Sequence, residues 1–205
     1  MSEAGFPRIP DDSRALLLRL ARLSIREALL RDGCLERALE AMAITPEMRW
    51  ERGVFVTLKV PDPKVRTPGG RLRGCIGTMT TEGPLYETVI RMARSSALED
   101  PRFPPLGADE LDELRISVSV LTPMIKLRDP DDLVLGRDGL QLTHGPHRSV
   151  FLPQVAEEQG WDRRRYLEQL ALKAGLGRDA WRDAALSTFQ AESFGESDPR
   201  QRSGT

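Results

Sequence analysis

A pair of apolar segments decides the fold: Gly53-Val54-Phe55-Val56-Thr57-Leu58-Lys59-Val60 and Leu72-Arg73-Gly74-Cys75-Ile76-Gly77-Thr78-Met79. β-Branched and aromatic residues dominate the first segment, which is typical of a β-strand. The connection from Pro61 to Gly70 contains three prolines and a Gly-Gly pair, which are strong turn formers. We therefore predict an antiparallel hairpin whose second strand carries the sequence Leu72 to Gly77.

The second strand of this hairpin is the candidate working surface. In an extended chain, side chains alternate between two faces. One face takes Leu72, Gly74 and Ile76, and the other takes Arg73, Cys75 and Gly77. A guanidinium beside a thiol favours the thiolate, which is the nucleophilic and metal-binding form, and glycines let a ligand approach the backbone closely. We predict Cys75 and Arg73 as catalytic residues, with a small buried cysteine in a strand with a glycine bulge as the alternative.

Outside the hairpin, hydrophobic periodicity and capping residues predict a mixture of helices and strands. The predicted helices cover residues 11–32 with Gly33 as the stop, 34–43, 84–98, 109–114, 153–160 and 163–174. The predicted further strands cover residues 116–120, 133–135, 140–143, 149–152 and 187–194. This mixture predicts the α+β class, and the polar residues from Gly195 predict a disordered tail.

Composition excludes several functional classes. The 205 residues contain 30 Lys and Arg against 31 Asp and Glu, so the net charge does not indicate nucleic-acid binding. No segment approaches the roughly 18 apolar residues of a membrane span and no export signal begins the chain, so we expect a cytoplasmic protein without a membrane contact. Two cysteines, Cys34 and Cys75, lack the spacing of a zinc or iron–sulfur motif, and we predict no metal and no cofactor.

The local charge is uneven although the global charge is balanced. Between Arg52 and Arg73 there are six basic residues and one acid. Between Ser96 and Glu113 there are six acids and one arginine. Two readings stay open: an anion-seeking wall opposite an acidic one, or ordinary solvated surface.

Two further motifs are weaker. Gly74-Cys75-Ile76-Gly77 matches the GXXG of KH domains, but those domains place it in a basic loop between helices, whereas here it is apolar and strand-like. His144 and His147 are the only histidines and flank a Gly-Pro turn. They make an incomplete metal site and are the only candidate imidazole base for Cys75.

Leu72-Arg73-Gly74-Cys75-Ile76-Gly77 resembles the hexapeptide of the AMMECR domain family, whose bacterial and archaeal members are called AmmeMemoRadiSam system protein A. The resemblance continues through Asp100-Pro101-Arg102-Phe103-Pro104-Pro105, Ser117-Val118-Ser119-Val120-Leu121, Gly139-Leu140, Leu152-Pro153-Gln154-Val155-Ala156 and Gln159-Gly160-Trp161. It extends over about residues 12 to 194.

This resemblance implies a two-lobe α+β fold with a cleft that the hexapeptide faces. The larger lobe would contain residues 1–79 and 122–194 around an antiparallel sheet, and the smaller lobe would be an insertion at 80–121, followed by the tail at 195–205. At this cleft we predict substrate contacts from Leu72, Gly74, Ile76, Gly77, Asp100 and Arg102.

The family name further implies a Memo-like protein and a radical SAM enzyme as partners. Since this chain lacks the cysteine triad of a radical SAM enzyme, we expect it to be the A component. Two functional hypotheses remain at this point. Either Cys75 acts as a thiolate nucleophile or ligand, or the same strand is a non-catalytic adaptor surface for a protein or nucleic acid.

Overall fold

The computed structural model describes residues 7–62, 70–80 and 83–196. Its helices are α1 Asp11–Leu30, α2 Cys34–Ala41, α3 Leu85–Leu98, α4 Val155–Gln159 and α5 Arg163–Lys173. Its strands are β1 Val54–Val60, β2 Arg71–Thr78, β3 Arg115–Leu121, β4 Ile125–Leu127, β5 Gly139–His144, β6 His147–Phe151, β7 Ala185–Phe189 and β8 Ala191–Gly195. With two antiparallel sheets beside these helices, the predicted α+β class is confirmed.

The chain forms two compact units. The first contains Met1–Val120 and Glu192–Thr205, and the second contains Leu121–Ala191. The insertion predicted at residues 80–121 stays a prediction; α3 and β3 from that range belong to the first unit. Within the described ranges, no helix is both long enough and apolar enough to span a membrane.

The first unit is a four-stranded sheet with helices on one face. Its strand order is β2-β1-β3-β8, so the central strand β1 pairs antiparallel with β2 on one side and β3 on the other. Burial along β1 alternates strictly, and the buried side chains of Val54, Val56, Leu58 and Val60 join the core together with α1 and α3. The predicted hairpin of β1 and β2 is thus confirmed; residues 63–69 of its connection lie outside the described residues.

The end of α1 differs from the prediction. The helix ends at Leu30, and Arg31 takes the left-handed conformation (φ 51°) that we expected at Gly33. Gly33 is also left-handed (φ 69°), but it precedes the first residue of α2. Two left-handed residues in close succession turn the chain sharply, because each reverses the local helical path.

The second unit contains the sheet β4-β7-β5-β6 with α5 packed against it. Asp162 caps α5 as predicted, since its carboxylate accepts the Arg165 N–H at 2.7 Å. The strand predicted at 133–135 is wrong: Leu133 is buried, but it follows a 3-10 turn at Pro130–Asp132 and pairs with no strand. The apolar run Leu133 to Leu135 resembles a strand in sequence, but only Leu133 is buried and Val134 is exposed.

Three other boundaries also differ. The strand predicted at 187–194 is two strands, β7 and β8, which lie in different sheets. The helix predicted at 109–114 is a 3-10 turn at Ala108–Glu110. The strand β4 was missed because its three residues are too few to establish a period-2 pattern in the sequence. The predicted disordered tail falls largely on residues 197–205, which lie outside the described residues.

A β-bulge interrupts the pairing of β1 with β2. Leu58 lies opposite Gly74 and Lys59 lies opposite Leu72, so Arg73 is the extra residue. The alternation that we predicted along Leu72 to Gly77 is therefore broken at Arg73, because a bulged residue has no cross-strand partner. From Gly74 onward the alternation is regular, with Thr57 opposite Cys75 and Val56 opposite Ile76.

The close approach of α3 to β2 yields a test of this arrangement. A Cβ atom at Gly74 would lie 2.1 Å from the Ser96 carbonyl oxygen, which belongs to helix backbone and cannot simply rotate away. We expect Gly74→Ala to lower the free energy of unfolding by about 2 kcal/mol, measured by urea denaturation. Gly177→Ala is the matched control, since nothing lies within 4 Å of a Cβ there, and it should change stability by less than about 0.5 kcal/mol. Equal stability of the two variants would contradict this packing.

Candidate functional site

The outer edge of β2 is bound by side chains. Because β2 is an edge strand, its outward N–H and C=O groups have no neighbouring strand. The Asp100 carboxylate accepts the outward Cys75 N–H at 2.8 Å, whereas on the opposite side of the strand Ser96 Oγ bridges the Ile76 N–H (2.9 Å) and the Val56 carbonyl oxygen of β1 (2.8 Å). The Arg102 guanidinium donates to the Cys75 carbonyl oxygen at 3.1 Å. The peptide groups around Cys75 are therefore held in one position.

Asp100 is buried and fully bonded. Besides the Cys75 N–H, its carboxylate accepts the Arg102 backbone N–H at 3.1 Å and two guanidinium N–H groups of Arg102 at 2.9 and 2.7 Å. The hydrogen bonds from the Arg102 side chain, with smaller help from the backbone N–H groups, hold the pKa of Asp100 well below its usual range although burial opposes this. Asp100 consequently stays ionised and is a weak proton acceptor.

Arg73 is bonded to its own chain. Its guanidinium makes a two-pronged pair with Glu110, with both N–O distances 2.7 Å, and donates to the Pro104 carbonyl oxygen at 2.8 Å. The residue is only 6% exposed. The hydrogen bond to Arg73 lowers the pKa of Glu110, so the pair is ionised at neutral pH. At this pair, an arginine of the basic hairpin binds a glutamate of the acidic segment.

Cys75 is half-buried, and its thiol has two polar neighbours. The Thr57 hydroxyl donates to Sγ at 3.3 Å across the β1–β2 pair. The second is the Arg102 guanidinium, which donates to the Cys75 carbonyl oxygen at 3.1 Å and whose pKa is raised chiefly by Asp100 against the effect of burial. The Arg102 side chain is 53% exposed. In the structure the guanidinium beside Cys75 is that of Arg102, whereas Arg73 is engaged with Glu110.

The glycines of the hexapeptide pack against the protein itself. Gly74 faces the Ser96 carbonyl of α3, and a Cβ atom at Gly77 would lie 2.3 Å from the Phe55 ring. Ile76 packs on the hydrophobic core of the first unit, and Leu72 is half-buried. Internal packing therefore accounts for these glycines without a ligand.

The histidines belong to the second unit. His144 ends β5 and His147 begins β6, and the two are paired across the turn. His147 Nδ1 lies 3.0 Å from the Ala174 carbonyl oxygen. The first unit, which contains Cys75, has no histidine in its sequence.

The family model described as AMMECR1 matches residues 18–194. The chain belongs to the AMMECR1 family. A protein from Thermofilum pendens is 41% identical over 203 residues, and one from Thermococcus gammatolerans is 43% identical over 202 residues. The alignments cover 94% of this chain and 94% or 95% of the relative. A crystal structure titled as an uncharacterized protein from Pyrococcus horikoshii is similar with a TM-score of 0.73 and 38% identity, over 94% of this chain and 95% of that one.

Three residues of the site in this AMMECR1-family chain were not predicted. Thr57 was missed because the strand register, and hence its position opposite Cys75, cannot be read from the sequence. Ser96 was missed because it lies inside a predicted helix, and Glu110 because it is one of six acids in its segment. Only the charge contrast of the two segments pointed toward Glu110.

The buried Asp100 carboxylate predicts a pH-dependent contribution to stability. A depressed pKa in the folded state means that the contribution is complete above the unfolded value of about 3.9 and is lost as the pH falls through the folded value. We expect Asp100→Asn to be about 2–3 kcal/mol less stable than the native protein from pH 5 to 8. The gap should narrow by about 1 kcal/mol at pH 3.

Urea denaturation at each pH measures this gap. Asp179→Asn is the control, because the Asp179 side chain is 72% exposed and its pair with Arg182 lies at the surface. That variant should stay within about 0.5 kcal/mol of the native protein at every pH. A gap for Asp100→Asn that is the same at pH 3 and pH 7 would contradict the role given to its charge.

Proposed function

We propose that this AMMECR1-family protein acts through the thiolate of Cys75, as a nucleophile or ligand, with Arg102 holding an anionic group of the substrate beside it. One observation carries the proposal. Of the predicted polar site residues, Cys75 and Arg102 keep exposed surface, whereas Arg73 and Asp100 are buried and bonded within the protein. The reactive part of the motif is then one thiol and one guanidinium.

Two groups beside Cys75 support the proposal. The Thr57 hydroxyl donates to Sγ at 3.3 Å, and the Arg102 guanidinium donates to the Cys75 carbonyl oxygen at 3.1 Å. Hydrogen-bond donors and cations are the usual neighbours of reactive cysteines in proteins. Asp100 and Ser96 fix the backbone that carries Cys75, which keeps the sulfur in a constant position. The proton of the thiol would pass to water, since Asp100 is a weak acceptor and the first unit contains no histidine.

In this proposal the predicted catalytic partner Arg73 becomes a positioning residue. Its pair with Glu110 ties β2 to the segment after α3, and that segment also carries Asp100 and Arg102. Of the predicted substrate contacts, the proposal keeps Arg102 and the half-buried Leu72. The cleft that the family resemblance implies remains part of the proposal.

We also propose that the protein works as the A component with a Memo-like protein and a radical SAM enzyme. Family membership supports this partnership, because it is the resemblance that implies the two partners. The partnership would place the Cys75 thiol at a surface reached by another protein or by its product.

A second candidate function is a non-catalytic recognition surface on the same strand. The internally packed glycines and the weakly basic Asp100 favour it, since neither feature serves chemistry on a substrate. In that case the thiol would be incidental to binding.

Alkylation of Cys75 tests the thiolate. In a Cys34→Ala background that leaves one thiol, we expect Arg102→Gln to slow the reaction with iodoacetamide at pH 7 about fivefold, because a charge near the surface contributes about 1 kcal/mol to a neighbouring ion. Thr57→Val should slow it by a smaller factor. Arg91→Gln, which removes an exposed charge on α3, is the matched control and should leave the rate unchanged.

Two results would contradict the thiolate proposal. The first is a Cys75 that reacts no faster than a free cysteine and is insensitive to Arg102→Gln. The second is undiminished co-purification of a Memo-like or radical SAM protein, with undiminished cellular function, in Cys75→Ser. Both together would favour the recognition surface.

A further inference from the structure

Three potential metal-binding side chains meet where α1 passes into α2. Glu27 lies in the last turn of α1, Asp32 in the turn, and Cys34 at the first position of α2. Their ligand atoms all lie within 4.8 Å of one another. The left-handed residues Arg31 and Gly33 bring the start of α2 back over α1, so that the Cys34 thiol donates to the Leu23 carbonyl oxygen at 3.6 Å.

One oxygen in this cluster has no partner. Glu27 Oε2 is shielded from solvent and makes no hydrogen bond among the described residues. A buried carboxylate oxygen without a donor costs free energy, since it has lost its water and gained nothing in exchange. A positively charged ligand bound between this oxygen, the thiol and the second carboxylate would supply the missing partner.

A positive charge already lies beside one of the two carboxylates of the cluster. Arg26 supplies the neighbouring positive charge, through its Nε bond to Asp32 at 2.8 Å, but it does not bond Glu27.

We propose that Glu27, Asp32 and Cys34 bind one divalent cation of the zinc class. A set of one sulfur and two carboxylate oxygens suits Zn²⁺ or Co²⁺, whereas Mg²⁺ and Ca²⁺ prefer oxygen alone. On binding, the cation forms a bond to Cys34 Sγ while the S–H bond breaks, and the proton passes to the solvent. Three protein ligands leave the fourth tetrahedral position open to water.

The geometry requires only a small closure. Ligands bound to one zinc at about 2.0–2.3 Å lie less than about 4 Å apart, so the present spacing must shrink by up to about 1 Å. Side-chain rotations supply this, because all three residues are half-buried and the Arg26 side chain is 49% exposed and able to release Asp32. This site is separate from Cys75 and does not depend on the function proposed for that thiol.

Cobalt titration of the full chain tests the proposal. The protein carries Cys75→Ala, so that a thiolate-to-cobalt absorption band can arise only from Cys34. We expect one Co²⁺ per chain with such a band, release of about one proton, and displacement of the band by Zn²⁺. Cys34→Ala should abolish the band, and Glu27→Gln should weaken Co²⁺ binding at least tenfold.

Glu36→Gln is the matched control, because Glu36 is an exposed acid in the first turn of α2, outside the cluster. It should leave the Co²⁺ affinity unchanged. Circular dichroism checks that each variant is folded, and Glu27→Gln carries the test if Cys34→Ala is not. The proposal is overturned if no band appears, or if Glu27→Gln and Glu36→Gln bind Co²⁺ equally.

Discussion

The first unit depends on how the outer edge of β2 is satisfied. An edge strand presents unpaired N–H and C=O groups, and in this protein the buried Asp100 carboxylate accepts the Cys75 N–H while the Arg102 guanidinium donates to the Cys75 carbonyl oxygen. Since Asp100 also holds Arg102, a single ionised carboxylate fixes both the backbone of Cys75 and the guanidinium beside its thiol. Removing that charge would release the strand edge and the site together.

A second ion pair holds one residue of the motif within the protein. Arg73 is the bulged residue of β2, and its guanidinium binds Glu110 in the segment that follows α3. Because of the bulge, Arg73 lies outside the regular alternation of β2. The guanidinium next to Cys75 is that of Arg102. Arg73 and the glycines of the motif are therefore fixed by contacts within the protein, whereas the Cys75 thiol is half-buried.

Much of this arrangement was predictable from the sequence because it rests on local rules. The β1–β2 hairpin and the helices α1, α3 and α5 follow from hydrophobic periodicity, turn residues and the Asp162 cap. Asp100 and Arg102 were predicted site residues, and both contact the Cys75 peptide group. The predictions failed for short elements. Leu133 was predicted in a strand but is buried next to a 3-10 turn, and the largely exposed strand β4 was not predicted.

By itself, the sequence determined the α+β class, the AMMECR1 family and the segment that carries the candidate site, since these depend on residue type and spacing along the chain. Only the tertiary structure decided which guanidinium accompanies Cys75, that Thr57 faces its sulfur, and that Glu27, Asp32 and Cys34 converge. The physical reason is the same in each case. Strand register, a single bulge and two left-handed turn residues set those contacts, and each depends on the packing of residues far apart in the chain.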